Sequence, residues 1–266
     1  MNEPITIDLS AGLLTLGLNR PDKLNALTNA MYSSLAEALF DAAENPDVKV
    51  VLLTGGEHAF TSGNDLEDFL RVPPTDLDSP AFRFMASVIE LEKPLIAAVC
   101  GAAIGIGMTL LLHCDYVAVS RNAKLRMPFV SLGLCPEFGA TLLLPRLLGR
   151  ARAAGLLLLG ETLDGTKAVA WGFANEVLED GAQCLAVARQ QASRFLALPP
   201  DALRQTKQLL KRADFQQLQD TLRQENLLFI ARLGSAEAQQ ALGTALSRST
   251  SKLGKAASGE RPNPQQ

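Results

Sequence analysis

Histidine, paired cysteine and surplus positive charge are all scarce in this sequence. The two histidines, His58 and His113, and the four cysteines, Cys100, Cys114, Cys135 and Cys184, make no CxxC pair and no Cys/His ligand spacing. That excludes a zinc site and a disulfide framework, so no metal is expected and the thiols fit a reducing, cytoplasmic setting. With 25 Lys and Arg against 28 Asp and Glu, the formal net charge is −3. No basic footprint is left for nucleic acid or for an anionic membrane surface. The opening MNEPITIDLS carries an acidic residue and no apolar stretch, so no secretory leader is expected. The tripeptide SKL occurs at Ser251–Leu253, but that peroxisomal address is read only at a C-terminus, and this sequence closes on NPQQ.

What is present is a large apolar fraction. A chain of 266 residues, 47% hydrophobic and 20% charged, suits one large domain, or one domain with an appendage. The uncharged run LIAAVCGAAIGIGMTLLL from Leu95 to Leu112 is long enough to suggest a membrane span. Its glycines at 101, 105 and 107 divide it instead into a short strand, a glycine turn and the start of a buried helix, the habit of an α/β core.

Strand-like runs at 5–9, 13–18, 49–55, 94–99, 116–120 and 174–178 alternate with helical patterns, which predicts a mixed α/β layout. Thr28 is the expected N-cap of a helix over 29–44 that stops before Asn45-Pro46. From Ala182 onward the pattern is helical and is interrupted at Pro199-Pro200. The expected organisation is a core over 1–197, a helical C-terminal subdomain over 198–248 and a disordered tail over 249–266.

Three segments stand out. AFTSGNDLEDF (59–69) is a small-residue loop in which Gly63 permits close approach of backbone amides, or else a turn where Asn64 or Asp65 caps the next helix. GAAIGIGMT (101–109) reads as strand, glycine turn and helix start, which aims N–H groups at an anion or simply packs tightly. Neither is GxGxxG, and no GKS or GKT follows, so nucleotide binding is not supported. In GLCPEFGA (133–140), Pro136 and Glu137 suit the first turn of a helix running through FGATLLLPRLLG. The same glutamate, desolvated among apolar neighbours, would have a raised pKa and serve as an acid or base near neutral pH. Sequence leaves these two readings open.

Read in order, the blocks LNRPDKLNALT, AFTSGNDL, KPLIAAVCGAAIGIGMTLLLHCDYVAVS, MPFVSLGLCPEFGATLLLPRLLG and GFANEVL resemble the crotonase superfamily, the enoyl-CoA hydratase/isomerase family, from about residue 5 to 248. The resemblance implies a spiral of ββα units with a helical C-terminal region, assembled as a homotrimer or a dimer of trimers. It implies an acyl-CoA thioester as substrate, with coenzyme A part of that substrate and no separate cofactor. On these blocks the two enolate-stabilising backbone N–H groups fall on Asn64 and Ile106. The substrate-binding positions fall on Lys23, Leu24, Ala26, Ala59, Thr61, Ser62 and Asp65, with Lys23 a candidate phosphate contact. Phe138 stands where many relatives have a small residue and is expected to narrow the acyl pocket. The aromatic and basic pattern many relatives place near the adenine is missing, and Arg248 or Lys252 is the expected substitute.

The family's hydratases use two glutamates, and the matching positions here hold Thr109 and Phe129. Its Δ3,Δ2-enoyl-CoA isomerases keep one, at the position of Glu137, and the peroxisomal isomerase type is the most similar. The resemblance therefore implies isomerisation of 3-enoyl-CoA to trans-2-enoyl-CoA in the β-oxidation of unsaturated acyl chains. Its rivals are hydration, another enolate reaction, and noncatalytic acyl-CoA binding.

Overall fold

The computed structural model describes residues 3–257 of the chain. Strands β1 (Ile5–Ser10) and β2 (Leu13–Leu18) form an antiparallel hairpin, after which come α1 (Asn29–Glu44), β3 (Val50–Thr54), α2 (Leu66–Arg71) and α3 (Pro80–Glu90). Strands β4 (Leu95–Val99) and β5 (Ala102–Ile104) lead into the single-turn helix α4 (Ile106–Thr109), and β6 (Tyr116–Ser120) and β7 (Lys124–Arg126) repeat the step. Then follow α5 (Ala140–Leu148), α6 (Arg150–Leu158), β8 (Leu163–Asp164), α7 (Gly165–Ala170) and β9 (Glu176–Leu178). Helices α8 (Gly181–Leu196), α9 (Pro200–Arg212), α10 (Phe215–Leu233) and α11 (Ala236–Ala257) complete the described chain.

One sheet has the order β1-β2-β3-β4-β6-β9 and is parallel from β2 onward; a smaller one has the order β5-β7-β8. Successive strands go alternately to the two sheets, β4 to the large and β5 to the small, then β6 to the large and β7 to the small. The bridge between Thr61 and Ala103 supplies the same step after β3. A strand, strand, helix unit therefore spirals around two layers. Every residue of β3 and β4 is buried, the reason VVLLT and LIAAV read as unbroken apolar runs.

Local signals act where they stand in the sequence. The Thr28 hydroxyl accepts the Met31 N–H at 3.3 Å, and Asn45, before Pro46, is extended with ψ 114°. The long apolar run divides into β4, β5, α4 and a 3-10 turn over Leu110–His113. Among the described residues no helix is long and apolar enough to cross a membrane.

One expectation needs correction. Helix α11 continues to Ala257, through the start of the segment expected to be disordered; SKLGKAA supplies Lys, Leu and Ala, good helix formers, despite its polar setting. The rest of that tail, and the side chain of Lys252, lie outside the described residues. The C-terminal helical region shares its core with the rest of the chain. Leu222, Phe229, Leu233, Ala238 and Leu242 belong to the same buried cluster as α1, α3 and β2. The apolar faces of α10 and α11 are spent closing over the loops that follow the strands, which places them at the site.

Candidate active site

The block LNRPDKLNALT builds a frame. A 3-10 turn at Pro21–Lys23 delivers Leu24 and Asn25 in the left-handed region, φ 49° and 56°. Asparagine tolerates that conformation, and the buried Asn25 side chain stabilises it. Its amide donates to the carbonyls of Gly55 and Ala59, each at 2.8 Å, while its Oδ1 accepts the Arg20 N–H at 2.8 Å. Arg20 in turn reaches the Ala26 carbonyl at 2.7 Å and Asp65 at 3.0 Å. Ser62 donates its N–H to Leu24 and its hydroxyl to Lys23, at 2.9 and 3.2 Å. Lys23, Leu24, Ala26, Ser62 and Asp65 are thus brought to one edge. Ala59 and Thr61 are instead buried and serve the frame: the Thr61 hydroxyl donates to the Asn25 carbonyl at 2.7 Å. Asp65 is the N-cap of α2, accepting the Asp68 N–H, so capping falls to Asp65 and leaves Asn64 free for other contacts.

Two amides are left over. Gly63 O and Asp65 N both bond Leu27, at 2.8 Å each, so Asn64 N–H lies on the other side of that strand-like bridge. Ile106 opens α4, and the preceding Gly105 adopts φ 58° and ψ −121°, a conformation that side-chain-bearing residues avoid. Among the described residues neither Asn64 N–H nor Ile106 N–H has an acceptor. The two loops are held together: Thr61 N–H donates to Ala102 at 2.8 Å, Ile104 N–H donates to Thr61 at 3.0 Å, and a Cβ on Gly63 would meet Ile104 O at 2.8 Å. Both amides border a cavity of about 280 Å³ that also includes Leu66, Phe69, Phe129, Leu134 and Phe229.

Glu137 is not on a helix. Phe138 and Gly139 are both left-handed, φ 63° and 72°, which breaks the chain before α5 begins at Ala140 and overturns the first-turn reading. The carboxyl is 2% exposed, and its Oε1 has no hydrogen-bond partner. Burial, with the like charge of Glu225 second, pushes its pKa from the usual 4.5 up to about 8. Tyr32, raised by its own burial and then by Glu137, stays a neutral donor and gives its hydroxyl proton to Asn64 Oδ1.

This raised pKa makes a stability prediction. An unfolded Glu137 ionises near the usual value, whereas the folded one holds its proton until about pH 8, so its stabilising proton is fully present below about pH 4.5 and lost as pH rises toward 8. Glu137→Gln should therefore be more stable than wild type at pH 9, by roughly 3 to 5 kcal/mol and with a higher unfolding temperature, and nearly equal to it at pH 4. Thermal unfolding at the two pH values checks it; equal differences at both would sink the assignment.

The family model described as enoyl-CoA hydratase/isomerase matches residues 8–248. The chain belongs to that family. Its fold is accordingly the crotonase one, and the structure of Pseudomonas aeruginosa OdaA is similar with TM-score 0.90 and 54% identity, over 91% of this chain and 98% of that one. The 1,2-epoxyphenylacetyl-CoA isomerase of Escherichia coli strain K12 is 42% identical over 208 residues, 75% of this chain and 78% of its own. Human enoyl-CoA delta isomerase 2 is 33% identical over 254 residues, 92% of this chain and 64% of its own. The 2,3-dehydroadipyl-CoA hydratase of E. coli strain K12 is also 33% identical, over 239 residues, so the family's isomerases and hydratases are both represented.

In this enoyl-CoA hydratase/isomerase family member, the two residues at hydratase-glutamate positions offer no carboxylate. Thr109 is fully buried and turns its hydroxyl to the Ile106 carbonyl at 3.4 Å, while Phe129 lines the cavity. Neither Glu137 nor Phe138, the latter expected to narrow the pocket, is among the lining residues of the cavity. The Phe138 ring stacks on His113, centroids 4.3 Å apart, and meets Phe84 edge-on at 6.3 Å. Burial lowers the His113 pKa to about 4, so the ring is neutral, and its Nε2 must carry the proton it donates to the Phe138 carbonyl at 2.8 Å. Sequence reading missed Tyr32, Arg126 and Phe229 at or beside the site. No local pattern marks them, because each arrives from an element distant in sequence; Arg126 also borders the cavity, and its backbone carbonyl accepts the Gly105 N–H at 2.8 Å.

Proposed function

We propose that the protein isomerises 3-enoyl-CoA to trans-2-enoyl-CoA, with Glu137 as its single acid/base. The observation that carries this reading is one buried carboxyl with an unpartnered oxygen, raised to a pKa of about 8, in a chain whose hydratase positions are threonine and phenylalanine. Glu137 takes a proton from C2, breaking that C–H bond. The electron pair delocalises into a dienolate whose thioester oxygen is held by Asn64 N–H and Ile106 N–H. Glu137 returns the same proton to C4, and the double bond moves into conjugation. The chemistry draws on no cofactor, since coenzyme A enters with the substrate. Ser62 lines the cavity and bonds Lys23 and Leu24, so the CoA portion would lie along Lys23, Leu24, Ala26 and Ser62, with Lys23 on its phosphates.

A second reading, isomerisation of an unsaturated ring carried on CoA, is favoured by the name of the 42% identical relative and by the edges of Phe69 and Phe129 around Phe229, at 5.9 and 6.5 Å between centroids. The test incubates wild type and Glu137→Gln with a linear 3-enoyl-CoA, following the conjugated thioester by absorbance and 3-hydroxyacyl-CoA by mass. Isomerisation that collapses in the variant supports the proposal. Hydration as the main activity, or binding without turnover in either form, overturns it.

We also propose a homotrimer or a dimer of trimers. Leu158, Leu159, Leu209 and Leu210 are 63 to 77% exposed, an apolar load that a free surface seldom carries. Light scattering on the purified chain should give three or six times its 28.4 kDa; a monomer mass refutes assembly.

A further inference from the structure

Beyond the residues that would touch substrate, one buried acid has no part in the reaction as written. Glu225, on α10, is 5% exposed. Its Oε2 accepts the Gly139 N–H at 2.6 Å, and its Oε1 accepts the Thr141 N–H at 2.9 Å and the Thr141 hydroxyl at 2.5 Å. Three donors on two oxygens are the surroundings of an ionised carboxylate.

The position of these bonds matters. Helix α5 begins at Ala140 after an N-cap, Gly139, that has no side chain to offer, and its first turn contains no acidic residue. Glu225 supplies from another helix the carboxylate that the start of α5 lacks. The catalytic segment is thereby fixed at both ends: His113 holds the Phe138 carbonyl at 2.8 Å, and Glu225 holds the amides on the far side of it. Between these anchors the chain adopts the left-handed pair Phe138 and Gly139, which a free segment would not hold with phenylalanine.

We propose that Glu225 is a positioning residue for the reaction, one that locks the 137–141 turn carrying the Glu137 carboxyl through its bonds to Gly139 and Thr141. This rests on Glu137 being the acid/base. The ionisable groups facing the turn are Tyr32 from α1, His113 from the 3-10 turn after α4, and Glu225 from α10. Burial raises the pKa of Glu225 while its bonds from Thr141 and Gly139 lower it, and Tyr32 and His113 are neutral at working pH, so Glu225 is the facing group whose negative charge acts on Glu137. It stands second to burial in raising Glu137.

The experiment compares wild type, Glu225→Gln and Thr141→Val, each as the full chain. Glutamine keeps the shape but removes the charge and turns a donor toward one of the amides. Valine removes one hydrogen bond and leaves the charge. Infrared difference titration, with Glu137→Gln as reference, follows the Glu137 carboxyl directly, and the pH profile of kcat/KM follows the reaction. In Glu225→Gln the Glu137 titration should move down by about one pH unit, with the rate profile following it. Its kcat should fall roughly ten- to a hundredfold with KM nearly unchanged. Thr141→Val should leave the Glu137 titration in place. A Glu137 titration that ignores Glu225→Gln overturns the proposal, as does a change confined to KM. A titration that moves without the rate profile following overturns Glu137 as the base and leaves its coupling to Glu225 standing, so the two failures are distinguishable.

Discussion

Glu137→Gln is expected to lower kcat/KM for a 3-enoyl-CoA by about 10³-fold or more, because in the proposed reaction both proton transfers pass through this one carboxyl and a positioned acid or base contributes about 10² to 10⁴-fold. Glutamine preserves volume and a hydrogen-bonding tip, so substrate affinity should change little and the loss should fall on kcat. The pH dependence gives a second signature. A base with a pKa of about 8 is mostly protonated at pH 7, so wild-type kcat/KM should rise about tenfold per pH unit at acid pH and level off above about pH 8. Steady-state kinetics from pH 6 to 9 read both effects. A flat wild-type profile, or a variant within tenfold of wild type, would show that the proton moves through another group.

The second large effect is expected at Gly63. Alanine there would place its Cβ 2.8 Å from the Ile104 carbonyl oxygen, at φ +89°. Neither loop yields cheaply, because the two are tied by backbone bonds through Thr61, so the Asn64 amide must move relative to that of Ile106. Loss of one oxyanion donor costs about 10² to 10³-fold in kcat, which is the drop predicted for Gly63→Ala. Gly56 provides the comparison. Its φ is +84° but a Cβ would meet nothing within 4 Å, so Gly56→Ala carries the backbone strain without the collision. It should lose about 1 kcal/mol of stability and keep near-wild-type kcat. Equal kcat losses in both variants would attribute the effect to strain and refute the geometric argument.

Features whose causes are local could be read from the sequence. The Thr28 cap, the stop before Pro46, the buried strands β3 and β4 and the glycine breaks in the 95–112 run depend on neighbours a few residues away. The family resemblance followed from blocks of the same kind. It named Glu137, Asn64 and Ile106 as candidates because a motif preserves the order of residues along the chain. Composition set the remaining bounds, among them the want of a metal-ligand pattern and of a basic surface.

Tertiary structure decided the surroundings of those residues. Whether Glu137 capped a helix or stood apart from it depended on left-handed Phe138, which is stabilised by His113 and Phe84 from other elements. Its pKa depended on burial and on Glu225, far along the chain. The direction of Phe138, the contact of Tyr32 with Asn64, and the folding of α10 and α11 over the cavity were equally illegible. The physical reason is the same in each case. Desolvation and hydrogen-bond partnership belong to the surroundings a residue acquires on folding, and sequence spacing specifies only the surroundings it carries with it.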